Sequence, residues 1–97
     1  MSAILNTYNR KKISFTRGKG AFLYGTNGKK YLDFVQGIAV NCLGHSNNYL
    51  INSVTKQAKK LWHVSNAFII PEQEKLAKRL KQKTFADYIF FQNSGAE

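Results

Sequence analysis

The sequence predicts a mixed α/β fold: a small antiparallel meander, two helices, and then the first strand of a mainly parallel sheet. Three observations carry this expectation. Short alternating segments between residues 13 and 34 are parted by glycine-containing turns, and two later stretches space apolar residues as helices do. Finally, Tyr88-Ile89-Phe90-Phe91 is apolar on both faces, the mark of a strand inside a sheet covered by helices on each side.

The elements follow in order. Ile13-Ser14-Phe15-Thr16-Arg17 alternates apolar and polar residues, as a half-buried strand should. Gly18-Lys19-Gly20 turns the chain, and residues 21–24 read as a second strand. Thr26-Asn27-Gly28 follows, and Asn-Gly is a strong hairpin signal because both residues tolerate positive φ. Residues 29–34 return with Leu32 and Phe34 on one face. No GxxxxGK[ST] or GxGxxG pattern is present, so these glycines read as turn residues and not as a nucleotide cradle.

Gly37-Ile38-Ala39-Val40-Asn41 and Leu43-Gly44-His45 read as an irregular connection. Asn47 or Asn48 then caps a helix expected to run to about His63. Leu50, Val54, Ala58 and Leu61, flanked by Ile51 and Trp62, form its apolar stripe, with Lys56, Lys59 and Lys60 on the other side. His63 suits the negative end of that helix. A loop over residues 64–70 leads to Pro71, well placed in the first turn of a second helix. There Glu72 and Glu74 lie at the positive end, Lys81 and Lys83 at the negative end, and Leu76, Ala77 and Leu80 face inward.

Composition narrows the function classes. A chain of 97 residues, 43% of them hydrophobic, supplies one small domain and not two. The single cysteine, Cys42, excludes an internal disulfide. With only His45 and His63 as nitrogen companions it also argues against a zinc site, so no metal is expected. Both histidines read as structural. The polar, then basic, start lacks the apolar core of a signal peptide. No run approaches the roughly 20 apolar residues of a membrane span. A soluble, cytoplasmic protein is the expectation.

The net charge of +10, from 15 Lys+Arg against 5 Asp+Glu, raises nucleic acid as a partner. The basic residues are dispersed, however, and the arginines that read guanine edges are only Arg10, Arg17 and Arg79. A lysine-rich solvated surface is therefore the preferred reading over a small basic nucleic-acid-binding module.

The final stretch, Asn93-Ser94-Gly95-Ala96-Glu97, reads as a loop entering a helix. A buried strand followed by Ser-Gly-Ala and a helix makes an anion cup. Glycine lets the backbone approach closely, Ser94 offers a hydroxyl, and the Gly95 and Ala96 amides are unpaired first-turn donors. Taken alone, such turns are common and most bind nothing. The residues by themselves read as a fragment: a meander, two helices and the first strand of an unfinished α/β domain.

Motif order adds to this. Tyr31-Leu32-Asp33-Phe34, Gly37-Ile38-Ala39-Val40, Leu43-Gly44-His45, Leu61-Trp62-His63-Val64-Ser65-Asn66, Thr84-Phe85-Ala86-Asp87 and Phe91-Gln92-Asn93-Ser94-Gly95-Ala96-Glu97 together resemble the opening of the class III aminotransferases. The Leu-Trp-His-x-Ser-Asn stretch points to their acetylornithine and succinylornithine branch. One departure is visible: the family commonly has His-Pro shortly after Gly-His, whereas this chain has Gly44-His45-Ser46-Asn47-Asn48, which implies a changed helix entry.

The resemblance implies a fold type I enzyme that uses pyridoxal 5'-phosphate and works as a homodimer. Residues 1–70 would open the small domain, and residues 71–97 would begin the large cofactor-binding domain. The implied reaction moves the side-chain amino group of N2-acetylornithine to 2-oxoglutarate, a step of arginine biosynthesis. Ornithine, succinylornithine and 4-aminobutyrate remain alternative amine donors. Ser94, Gly95 and Ala96 would hold the cofactor phosphate. Ile38, Ala39 and Val40 would lie near the substrate entrance, although an apolar loop packing under the meander accounts for them equally well. No catalytic residue is assigned, because the family's Schiff-base lysine falls beyond residue 97, and the chain alone is expected to be inactive.

Dispersed lysines predict duplex DNA binding no tighter than ordinary non-specific association, with Kd about 10⁻⁴–10⁻⁶ M at physiological salt. Fluorescence anisotropy with labelled duplexes measures this, and sequence-selective nanomolar binding would favour the nucleic-acid module.

Overall fold

A computed structural model describes residues 2–96 and divides the chain into two compact units, Met1–Lys60 and Leu61–Glu97. The first unit holds an antiparallel sheet of three strands in sequence order: β1 (Phe15–Lys19), β2 (Phe22–Gly25) and β3 (Lys30–Leu32). The meander is thus as expected, with one shift. Gly18 and Lys19, read as turn residues, complete β1, where they pair with Leu23 and Phe22. The reversal tightens onto Gly20, whose φ is +56°. A register irregularity between Phe15 and Arg17 sets Arg17 opposite Tyr24. The Asn-Gly hairpin forms: Gly28 has φ +76°, and the Asn27 side chain accepts from the Lys29 amide at 3.0 Å.

Past β3, residues expected to be irregular wind into a single helical turn, α1 (Gln36–Ala39). It is left-handed. Gln36, Gly37, Ile38 and Ala39 have φ of 52°, 62°, 64° and 60°, while the flanking Val35 and Val40 are right-handed. Intra-turn hydrogen bonds run from Ala39 to the Val35 carbonyl at 3.0 Å and from Val40 to the Gln36 carbonyl at 2.9 Å.

Helix α2 (Asn48–Ala58) starts where expected. Asn47 is the cap, and its side-chain oxygen accepts from the Tyr49 and Leu50 amides at 3.0 and 3.2 Å. Ser46 enters it at φ +55°, a conformation that proline, locked near −65°, cannot adopt. The helix ends at Ala58, short of the expected His63, so His63 does not sit at a helix terminus. No glycine or proline stops it. Its apolar stripe is exposed (Leu50 44% and Val54 68%), so little apolar packing rewards a longer helix.

In the second unit, α3 (Pro71–Lys83) has Pro71 in its first turn, Glu72 and Glu74 at the start, and Lys81 and Lys83 at the end, as expected. Ala77 and Leu80 are half-buried, whereas Leu76, expected to face inward, is exposed. The Thr84 hydroxyl donates to the Leu80 carbonyl at 2.9 Å and closes the helix. Residues 88–91 form no strand. A strand exists only through its ladder, and among the described residues of the second unit no segment pairs with them. Ile89 and Phe91 are half-buried while Tyr88 and Phe90 are exposed, so the two apolar faces find cover on one side only.

Among the described residues no hydrophobic side chain is fully buried. Asn47→Ala, which removes the side-chain acceptor at the start of α2, should lower helix stability by about 1 kcal/mol. Circular dichroism melts and amide exchange at Tyr49 and Leu50 measure the loss.

Candidate functional site

A hydrogen-bonded polar constellation lies in the first unit, around the carboxylate of Asp33. Its backbone still belongs to the sheet, since the Asp33 amide donates to the Ala21 carbonyl at 2.8 Å. Its side chain turns to the next segment. Oδ1 accepts from the Val35 and Gln36 amides at 3.0 and 2.9 Å, the aspartate turn that leads into α1. Oδ2 lies 2.7 Å from Nε2 of His45. An ionised carboxylate only accepts, so Nε2 carries the hydrogen and donates.

His45 is held from three sides. Its amide donates to the Gly20 carbonyl at 2.8 Å, and its own carbonyl accepts from the Gly20 amide at 2.9 Å. Its ring lies over Gly18, where an added Cβ would come within 2.5 Å of the imidazole. Next to it, Gly44 has φ +77°, and a Cβ there would meet the Gly20 carbonyl oxygen at 2.9 Å. Only glycine fits either place. Ser46 completes the dock with a hydroxyl donated to the Gly18 carbonyl at 2.7 Å.

Asp33 and His45 are well covered, with side chains 6% and 20% exposed. They border a cleft of about 220 Å³ lined also by Gln36, Asn41, Cys42 and the Gly20-Ala21 turn. The Gln36 amide first, and then His45, hold the Asp33 carboxyl below the ordinary aspartate value. Neither Asp33 nor His45 was singled out from the sequence as a functional pair. The available signal was an aspartate three residues before a Gln-Gly step, with a Gly-His further on.

The site residues read from the sequence fall in separate units. Ile38, Ala39 and Val40 lie on and just after the left-handed turn. Ile38 is 86% and Val40 73% exposed, so they do not pack under the meander. Ser94, Gly95 and Ala96 are exposed in the second unit, with Gly95 and Ala96 in a turn and not in a helix. Nothing lies within 4 Å of where a Gly95 Cβ would stand. Their donor set of two amides and a hydroxyl, with open space before it, suits an anionic group. Glu97 lies outside the described residues.

The remaining polar groups are less suited to ligand work. Every lysine is exposed. The sheet aromatics that a nucleic-acid platform would present already carry cations of this chain. The Arg17 guanidinium lies 3.6 Å over the Tyr24 ring and the Lys30 ammonium 3.8 Å over Phe22. No group of histidine, cysteine and carboxylate side chains among the described residues is placed to hold a metal.

Asp33 yields a pH prediction. Because its carboxyl is held low, its contribution to stability is fully present above the ordinary value of 3.8. That contribution is lost as pH falls through the lower folded value. The part of the Val35 and Gln36 amide shifts that reports protonation of the Asp33 carboxyl should change only below pH 3.8 in an NMR titration.

Comparison with known proteins places these features in context. The family described as Aminotransferase class-III matches residues 4–97. The acetylornithine aminotransferase of Brucella melitensis is 53% identical over 94 residues, covering 97% of this chain and 23% of that protein. That of Rhodobacter capsulatus is 53% identical over 97 residues, 100% of this chain and 25% of its own length. Among solved structures, N-acetylornithine aminotransferase from Stenotrophomonas maltophilia superposes with a TM-score of 0.83 at 38% identity, covering 94% of this chain and 25% of that one. The chain thus spans about a quarter of the length of the curated relatives it matches.

Proposed function

Because the chain belongs to the class III aminotransferases, a family that depends on pyridoxal phosphate, we propose that the whole protein is an acetylornithine aminotransferase. It moves the side-chain amino group of N2-acetylornithine to 2-oxoglutarate, a step of arginine biosynthesis. The observation that supports this most directly is identity above one half, sustained over nearly the whole chain, to proteins that carry that name. In the same reading the protein is a cytoplasmic homodimer. No helix among the described residues is long and apolar enough to cross a membrane.

Pyridoxal phosphate, when bound, supplies an electron sink beside the nitrogen being transferred. This chain's part is to hold and orient. The Gly95 and Ala96 amides and the Ser94 hydroxyl donate to the cofactor phosphate. Backbone donors suit this task because they are already oriented and need no side-chain ordering. The absence of a side chain at Gly95 keeps the approach open. Residues 37–40 border the substrate entrance, where Ile38 and Val40 offer apolar surface to the methylene chain of the amine donor. The exposed lysines stay on solvated faces and take no covalent role.

The test is to produce the whole protein, titrate it with pyridoxal phosphate, and follow glutamate release from N2-acetylornithine and 2-oxoglutarate. A hydrogen bond to a charged group contributes about 1.5–3 kcal/mol, so Ser94→Ala should weaken cofactor binding at least ~10-fold. A protein that takes up no pyridoxal phosphate would overturn the reading. One that prefers unacetylated ornithine would move it to a sister enzyme.

A further inference from the structure

The left-handed turn is the most strained piece of backbone in the first unit. Four consecutive residues at φ between 52° and 64° lie where single glycines are the usual occupants. Only Gly37 is a glycine, and Ile38 is β-branched. Such a turn persists only where its surroundings over-determine it. Two groups do so here. Asp33 takes the Val35 and Gln36 amides through Oδ1, fixing the entry to the turn. Its other oxygen is bonded to His45, which is itself pinned to Gly20 through both backbone groups and seated over Gly18. The exit is tied by the Asn41 amide, which donates back to the Gln36 carbonyl at 3.0 Å.

The consequence is geometric. The turn places Ile38 and Val40 on its outside, 86% and 73% exposed. A turn held at positive φ by bonds from two other segments gives those side chains one defined position.

We infer that Asp33 and His45 are positioning residues: by fixing the entry of the left-handed turn they set the place of Ile38 and Val40, and so the affinity for the acylated amine donor. The inference rests on the substrate-entrance reading of residues 37–40. Neither residue touches substrate. They act on it through the backbone of the turn.

The experiment compares wild type, Asp33→Asn and His45→Phe in the whole protein loaded with pyridoxal phosphate. His45→Phe keeps a ring over Gly18 while losing the bond to the carboxylate. Hydrogen exchange over residues 35–41 should speed up roughly 10-fold in Asp33→Asn and less in His45→Phe, with α2 unchanged. KM for N2-acetylornithine should rise by a similar factor while kcat and KM for 2-oxoglutarate hold. Adding Ile38→Gly to Asp33→Asn relieves the strain, and should return exchange towards wild type without restoring KM.

Unchanged exchange in both variants, loosening spread equally through α2, or a loosened turn with KM unaltered would each overturn the inference. A wild-type protein that performs no transamination would instead overturn the proposed function. The substrate half of the inference would fall with it, and the exchange result would still report on the clamp.

Discussion

The Asp33 carboxylate is the point on which the first unit turns. Three segments meet at it: the end of the meander through its own backbone, the left-handed turn through Oδ1, and the loop before α2 through Oδ2 and His45. A carboxylate only 6% exposed is costly to keep out of water unless its oxygens find donors. Here each does. The arrangement is unforgiving, since loss of one donor leaves a covered charge incompletely paired, and that penalty exceeds the worth of the lost bond. The two glycines beneath and beside His45 obey the same requirement, because a Cβ at either would push the imidazole or its backbone off station.

This polar hub fixes how the segments of the first unit meet. No hydrophobic residue among the described ones is fully buried, and the aromatic contacts that exist are local. Phe15 meets Tyr31 edge-on with centroids 5.5 Å apart, and Phe22 and Tyr24 are covered by cations from neighbouring strands. Directional bonds set angles that non-directional packing leaves free. A left-handed turn, which costs roughly 1–2 kcal/mol for each residue that is not glycine, needs that kind of control.

Local rules were legible in the sequence wherever one chemistry decides the outcome. Asn-Gly makes a hairpin because both residues accept positive φ, Asn47 caps because its side chain reaches the next amides, and Pro71 starts a helix because its missing N–H costs nothing there. Features that depend on distant groups were not. The helix after Asn47 was read to His63 on the strength of Leu61 and Trp62, yet periodicity states which face wants cover and not whether cover arrives. Residues 88–91 show the same limit, because an apolar run announces a strand but cannot supply its neighbour. The left-handed turn was invisible for a different reason. Gln36, Ile38 and Ala39 are poor candidates for positive φ, and the support comes from Asp33 at the entry, itself oriented by the distant His45, and from Asn41 at the exit.

The candidate phosphate cradle and the charge of the chain bear on each other. With +10 spread over 97 residues, the field attracts every anion alike, and at physiological salt it fades within about 8 Å. Attraction of that kind raises the encounter rate without choosing a ligand or its orientation. Choice requires donors at fixed angles, which dispersed lysines on flexible stems do not provide and successive backbone amides do. In the second unit the Ser94-Gly95-Ala96 turn is exposed, with no side chain crowding Gly95. In the reading proposed above, a phosphate drawn in by the lysines is held there by the backbone. The abundance of basic residues therefore says little about which anion this chain recognises, and the few neutral donors say more.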